Sequence, residues 1–380
     1  MKIKITVVIS LLVFGVFLGV FGIENYLVLL ALAIMSTTNN IIKYIRRNYL
    51  LIILLLHAVI YYINYSSISL DWLAKNMFNP VILFVIGYWL TVKQKSNELA
   101  SKILILGLFM HGALNVGIYI QNPLSMMNRE FVNIWGGTIT ATLHNILFIP
   151  IVCLLFYTVY IEKNKMLKSF ILIGIIIAIY STIVSASRTL IFMLVIGFLL
   201  NIFLNKRDNK KKINTLISIC LIITTLIILY QFNVMGIRSW LGTSNLGERL
   251  AGGISNNDSI VKNIRWEMSL KILRALPTHP FGKITVVHYA HNLFLDIAKY
   301  TGILSATGLT IWSINSMYKY AKYVLKTRKD WDIVLFSIGV CMTLVLLLEP
   351  VLEGLPIIFS SYCYLCGIYK GSQVIYNKRK

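Results

Sequence analysis

An all-α, polytopic transmembrane helix bundle of about twelve spans, with one large helical external loop between the ninth and tenth, is the fold class that the sequence predicts. Three observations predict it. Hydrophobic residues make up 57% of the 380-residue chain and charged residues only 13%, against roughly 25% charged in soluble domains. Apolar runs of about 20 residues, the length a helix needs to satisfy its backbone across a bilayer core, recur from end to end. Clusters of Lys and Arg fall between those runs in strict alternation.

Taken in order, spans are expected near 3–22, 25–38, 49–64, 78–92, 100–120, 139–160, 167–186, 189–204, 213–235, 292–318, 333–349 and 354–370, in one integral membrane domain over 1–380. The second is the shortest, its core YLVLLALAIM running directly into STTNN. A re-entrant path there would invert everything downstream, and the charge pattern argues for a crossing. Basic clusters lie at Lys2/Lys4, Lys43/Arg46/Arg47, Lys93/Lys95/Lys102, Lys163/Lys165/Lys168, Lys206 to Lys212, Lys319 to Lys329 and Lys370 to Lys380. All fall on one side of a twelve-span topology, which the positive-inside rule makes cytoplasmic, with both termini there. The net charge of +22 is therefore mostly a topology signal. Nucleic-acid binding would need a basic face on a soluble domain, and none is present.

The N-terminus has the charged start of a signal peptide but no small-residue cleavage pattern, and the charge alternation requires that this helix be retained. Cys363 and Cys366 form a C-x-x-C inside the last span, where apolar packing is expected rather than redox or metal chemistry. His57, His111 and His144 lie within spans and read as packing residues. No metal or cofactor is expected.

Most outward connections are short; residues 236–290 are the exception. This loop holds Arg238, Arg249, Lys262, Arg265, Lys271, Arg274 and Lys283 against Glu248, Asp258 and Glu267. Its basic balance suits an anionic ligand, or simply a solvated loop, since the charge rule is lax for long loops. Within it SIVKNIRWEMSLKILRAL has helical spacing and ends at Pro277-Thr-His-Pro280-Phe-Gly282. Glu267, Lys271 and Arg274 share one face, the first two at i,i+4 spacing. Arg265 lies on the opposite, apolar face with Val261, Met268 and Ile272. A guanidinium there must meet an anion, snorkel or join a structural ion pair.

Arg188, in Ser185-Ala-Ser187-Arg188-Thr189, sits where two spans meet with almost no loop, so it is paired or functional, or touches lipid phosphate. His288-Tyr-Ala-His291-Asn292 leads into the tenth span. Acid–base work suits these histidines, whose ordinary pKa is about 6.5, better than metal binding, which lacks a third ligand; a structural hydrogen bond is the plainer alternative. Glu349 and Glu353 end the eleventh span with no basic neighbour in sequence. Arg188, Arg249 or Arg265 can reach them across the bundle, as a salt bridge or beside a substrate.

These landmarks, in this order, resemble the bacterial O-antigen polymerase and ligase family of polytopic membrane enzymes. The pieces that carry the resemblance are SASRT, RWEMSLKILRALPTHPFG and HNLFLDIAKYTGILSATG, covering roughly residues 180–318. The chain departs from the family pattern after Pro-Phe-Gly, where Lys283 stands in place of a usual glycine. The resemblance implies transfer of a glycan from undecaprenyl diphosphate to an acceptor hydroxyl at the outer leaflet of the cytoplasmic membrane, without metal or nucleotide sugar. Polymerases extend a lipid-linked repeat unit of O-antigen or capsule; ligases move finished chains to lipid A core. A chain-length regulator protein is a further partner it implies. By motif match Arg188 and Arg265 would contact the diphosphate and His291 would be catalytic; Arg249 has no family counterpart, and it, His288, Asn292, Glu349 and Glu353 are further candidates for substrate contact from their own positions, the two glutamates being the alternatives to His291 as base. The chemistry is coherent: fixed guanidinium groups stabilise a departing diphosphate, and a base must take the acceptor proton. A lipid-linked sugar flippase suits twelve spans equally well, but would be expected to carry polar breaks near the midplane in repeated halves. No such repeat is evident, and the polar residues collect at one face.

Overall fold

The computed structural model describes residues 2–20, 23–37, 44–45, 48–123, 126–127, 130–133, 135, 137–185, 187–205 and 264–379. The span expected over 213–235, the basic cluster from Lys206 to Lys212, and Arg238 and Arg249 lie outside the described residues.

The described chain is mostly helical. Its helices are α1 (Lys2–Leu18), α2 (Glu24–Ser36), α3 (Tyr49–Tyr65), α4 (Leu70–Gln94), α5 (Glu98–Gln121), α6 (Ala141–Val159), α7 (Lys165–Ser185), α8 (Arg188–Leu204), α9 (Ile264–Ala275), α10 (Leu293–Thr327), α11 (Asp330–Leu348), α12 (Val351–Gly354) and α13 (Pro356–Arg379). Helices thus stand at each expected span position that falls among the described residues. Five of them, α4, α5, α6, α7 and α11, are long and apolar enough to cross a membrane. α1 (over Ile5–Leu18), α2, α3 and α8 are apolar but shorter.

Large apolar side chains point away from the interior on these helices, among them Leu11, Ile52, Ile176, Phe192, Phe203 and Ile311. Left in water, each such side chain forgoes about 1.5–3 kcal/mol of burial. A lipid belt removes that cost, as hydropathy alone would suggest.

Local chemistry explains the irregularities. Pro80 has no N–H and its ring crowds the carbonyl four residues back; the chain just before it widens into a π-turn over Ala74–Phe78, with Asn79 N–H reaching Ala74 O. Pro150 acts similarly in α6, which is broken into pieces by tighter i,i+3 bonds such as Phe148 N to Asn145 O (3.1 Å). One short stretch departs from the helical pattern. The stretch between α5 and α6 forms a small antiparallel sheet, β1 (Met126–Met127), β2 (Glu130–Val132) and β3 (Thr138–Thr140), with Phe131 opposite Ile139. Alternation puts Phe131 and Ile139 on the buried side, and Phe131 stacks on His144 at 4.1 Å. Residues 139 and 140, expected to open a span, are strand instead.

The two ends of the bundle differ. At one, the turns that follow or precede lysine clusters converge: Asn97 bonds Asp332 (2.6 Å) and Ser372 (3.3 Å), Asn205 bonds Asp330 (2.7 Å), and Trp331 Nε1 donates to Ser101 Oγ (2.9 Å). At the other, the start of α8, the start of α10 and the end of α11 meet α9. The three in-span histidines pack as expected: His57 against Thr301, His111 against the Phe17 carbonyl and His144 against the Gly112 carbonyl. Cys363 and Cys366 are buried thiols.

Candidate active site

The site is built on the entry to α10. Asn292 caps that helix, its Oδ1 accepting from Phe294 N (3.0 Å) and Leu295 N (3.1 Å), as a short polar side chain at an N-cap does. Its Nδ2 donates to Leu347 O (3.2 Å), one of the carbonyls left open where α11 ends. The Asn292 amide is therefore engaged within the protein at both ends.

α9 lies across the same place. Its faces are those that the sequence spacing predicts: Glu267, Lys271 and Arg274 are exposed, Met268 is half-buried and Ile272 fully buried. Arg265 points from the apolar face to the bundle, where Nη1 donates to Leu348 O (3.0 Å) and to Glu349 Oε1 (3.3 Å). The Glu349 side chain is 2% exposed and that of Arg265 44%. Thr189 Oγ1 donates to the same Glu349 oxygen at 2.9 Å. One buried carboxylate thus draws together the start of α8, the start of α9 and the end of α11. Arg188, next to Thr189, is exposed at this end and forms no hydrogen bond or ion pair among the described residues. Ser187 beside it is buried with its hydroxyl unpartnered.

His291 is held with φ 54°, in the left-handed region, half-buried, with its ring edge-on to Tyr289 at 4.8 Å. Among the described residues its Nδ1 is buried without a hydrogen-bond partner. Burial first, and then the nearby Arg265 charge, push its pKa down to about 4. The ring is neutral at pH 7, the form that can accept a proton. His288 has an exposed side chain, and only its carbonyl takes part, accepting from Lys299 Nζ.

A second group lies one turn into α10. Glu353, for which the sequence suggests an arginine partner, takes Tyr300, whose hydroxyl donates to Oε1 at 2.5 Å, and Lys299 at 3.8 Å. Asp296 is fully buried, Oδ1 accepting from Ala290 N at 2.5 Å while Oδ2 has no partner among the described residues. Asp296 so fastens the turn that carries His291. Sequence reasoning passed over Asp296, Lys299 and Tyr300. The available signal was their i, i+3, i+4 spacing: charged residues inside an apolar run are expensive unless paired, which marks them as structural anchors or functional groups.

The loop behind the site is locked to α10 by the Pro-Phe-Gly turn. Gly302 (φ 83°, ψ −174°) breaks the helix, and the 280–284 segment fills the gap: Ile303 N donates to Pro280 O (3.0 Å) and Ile284 N to Lys299 O (3.1 Å). Asn64 from α3 closes the junction, donating to Phe281 O (2.7 Å) and Tyr300 O (2.9 Å). Lys283, where the resembling family has glycine, takes φ 60° all the same.

Chemically, the arrangement offers an oriented guanidinium, an exposed arginine at the same end of the bundle, a neutral imidazole and a carboxylate, Glu353, held by Lys299 and Tyr300. Among the described residues no three His, Cys, Asp or Glu side chains gather as a metal site would need. No protein-family model matches the chain, and no curated protein matches it.

Proposed function

We propose that this protein is a membrane glycosyltransferase of the O-antigen or capsule repeat-unit polymerase kind, moving a growing glycan from undecaprenyl diphosphate onto a lipid-linked repeat unit with inversion. The observation that carries the reading is the junction of Arg265, Glu349, Thr189 and His291 at the end of the bundle away from the lysine clusters. It supports the reading because that is the outer face of a twelve-span, inner-membrane topology with both termini cytoplasmic and residues 236–290 external. Arg265 and Arg188 would meet the diphosphate, and Glu349 orients Arg265. The acceptor oxygen attacks the anomeric carbon, the bond from that carbon to the diphosphate oxygen breaks with its electron pair leaving on the diphosphate, and His291 takes the hydroxyl proton. An anionic diphosphate beside Arg265 offsets the charge that depresses His291, so substrate binding raises its basicity.

Deleting the gene and separating the surface glycan by gel electrophoresis tests the proposal. A single repeat unit on lipid A core, or on the lipid carrier, is expected. Long chains left unattached would assign the same site to a ligase, and unchanged chains would end both readings. Val286, exposed beside the site, should as Val286→Cys react with an impermeant reagent from outside; protection would reverse the topology.

A pH profile tests the base. The neutral form of His291 exists above its pKa, so kcat/KM for elongation should hold from pH 7 down toward 5 and fall as pH drops through about 4. kcat/KM reports the free enzyme, which makes it the relevant quantity. Arg265→Gln removes the smaller of the two lowering causes, so whatever activity it retains should show its acid limb shifted to higher pH, with burial still holding it below the ordinary histidine value. His291→Ala should cost about 10²–10⁴-fold.

A further inference from the structure

A second polar cavity lies at the opposite end of the bundle, where the start of α3 meets the later turns of α10 and α13. It has a volume of about 140 Å³, and its polar lining includes Asn48, Asn315, Lys319, Lys370 and Gln373. Its two lysines face a space with no carboxylate among the described residues, and neither forms an ion pair there. Lys370 is half-buried, its ammonium 5.8 Å and 5.5 Å from the ring centres of Phe84 and Tyr88. Lys319 is exposed, so water screens part of its repulsion with Lys370, and an anion between the two ammonium groups would remove the rest.

Asn48 supplies an independent sign. It is 4% exposed, and its Oδ1 caps α3 by accepting from Leu50 N at 3.2 Å. That bond fixes which way the amide faces, because only the oxygen can accept. Its Nδ2 is left buried with no partner among the described residues. A buried donor without an acceptor is rare in a folded protein, and this one belongs to a residue that lines the cavity wall.

We infer that this cavity binds a phosphate group. A phosphate offers several acceptor oxygens to the two ammonium groups and the Asn48 amide, and its charge balances the lysines. The space is well below the roughly 300 Å³ at which sites for whole small molecules begin, so it admits the phosphate and little else. Such a group comes either from a lipid headgroup or from free phosphate. Trp312 and Tyr49 also line the cavity, and amphipathic aromatics of this kind gather at headgroup level.

The test uses the purified full-length protein in neutral detergent. It is titrated with dihexanoyl-phosphatidylglycerol, with inorganic phosphate, and with dihexanoylglycerol as the phosphate-free control, reading the thermal midpoint and tryptophan fluorescence. A saturable response to a phosphate-bearing probe and none to dihexanoylglycerol is expected, with apparent affinity weakened at least tenfold in Lys319→Gln/Lys370→Gln. Saturation by inorganic phosphate supports a soluble source; saturation by the lipid alone supports a headgroup. Asn48→Asp keeps the capping oxygen but puts a carboxylate oxygen in place of the donor, so it should abolish binding while α3 stays capped. No saturable response to either probe, an equal response to dihexanoylglycerol, or a response unchanged in both variants overturns the inference.

Discussion

Arg265→Ala should stop glycan elongation and destabilise the protein at once, and the two effects can be separated. In the native fold Arg265 is the cation paired with Glu349, a carboxylate only 2% exposed. Removing one partner of a buried pair costs about 3–5 kcal/mol; the half-exposed guanidinium places this case near the lower end. Arg265→Ala/Glu349→Gln removes the stranded charge as well, so the thermal midpoint should largely recover. Elongation should not recover, because the diphosphate has lost its oriented donor, a loss worth about 10²–10³-fold in comparable sites. Arg265→Lys keeps the charge without the planar fork and should fall between. Glycan ladders on a gel and thermal unfolding in detergent give the two readouts. Wild-type ladders from the Arg265→Ala strain would refute a substrate role and leave Arg265 a structural ion pair.

Gly302→Ala should damage the fold far more than the exchange of a single hydrogen for a methyl group ordinarily does. The backbone at Gly302 has φ 83° and ψ −174°, a region essentially reserved for glycine. A Cβ there would strike the Pro280 carbonyl oxygen and the Phe281 backbone. The substitution therefore meets strain of about 1–3 kcal/mol and loses the docking bonds of the 280–284 segment in addition. Release of that segment should appear as new protease cleavage between α9 and α10 in the purified protein. Because Asp296, Lys299 and Tyr300 lie immediately before the break, elongation should fall as well. Gly117→Ala is the control, since its Cβ would meet nothing within 4 Å, and inside a helix it should leave stability unchanged or raise it by up to about 1 kcal/mol. A Gly302→Ala protein as protease-resistant as that control would show that the loop is not held through this junction.

Much of the bundle is legible from residue order. Apolar runs and their caps locate the helices, because hydropathy and capping act over a turn or two: Asn292 precedes Phe294 and Leu295 in sequence and caps them in space; α4 nevertheless begins at Leu70, and α10 and α13 run on to Thr327 and Arg379, well beyond the apolar runs. The face carrying Arg265 on α9, opposite Glu267, Lys271 and Arg274, follows from the helical repeat alone. Pro80 and Pro150 mark the irregular turns of α4 and α6 by what proline cannot do.

The partnerships are a different matter. That Glu349 takes Arg265 and Thr189, while Glu353 takes Tyr300 and Lys299, depends on which helix ends meet; residues 84 and 160 positions apart are joined by one carboxylate. The same is true of Gly302, where a break within α10 is stable only because a distant turn supplies the missing hydrogen bonds, and of Phe131, whose strand exists because His144 and Ile139 cover it. By itself the sequence determined the helices, their faces and the end of the bundle to which the chemistry-bearing residues belong, since each of these is set by neighbours along the chain. Only the tertiary structure decided which charges are paired and which loop is locked, since ion pairs and docking bonds form between segments that packing alone brings together.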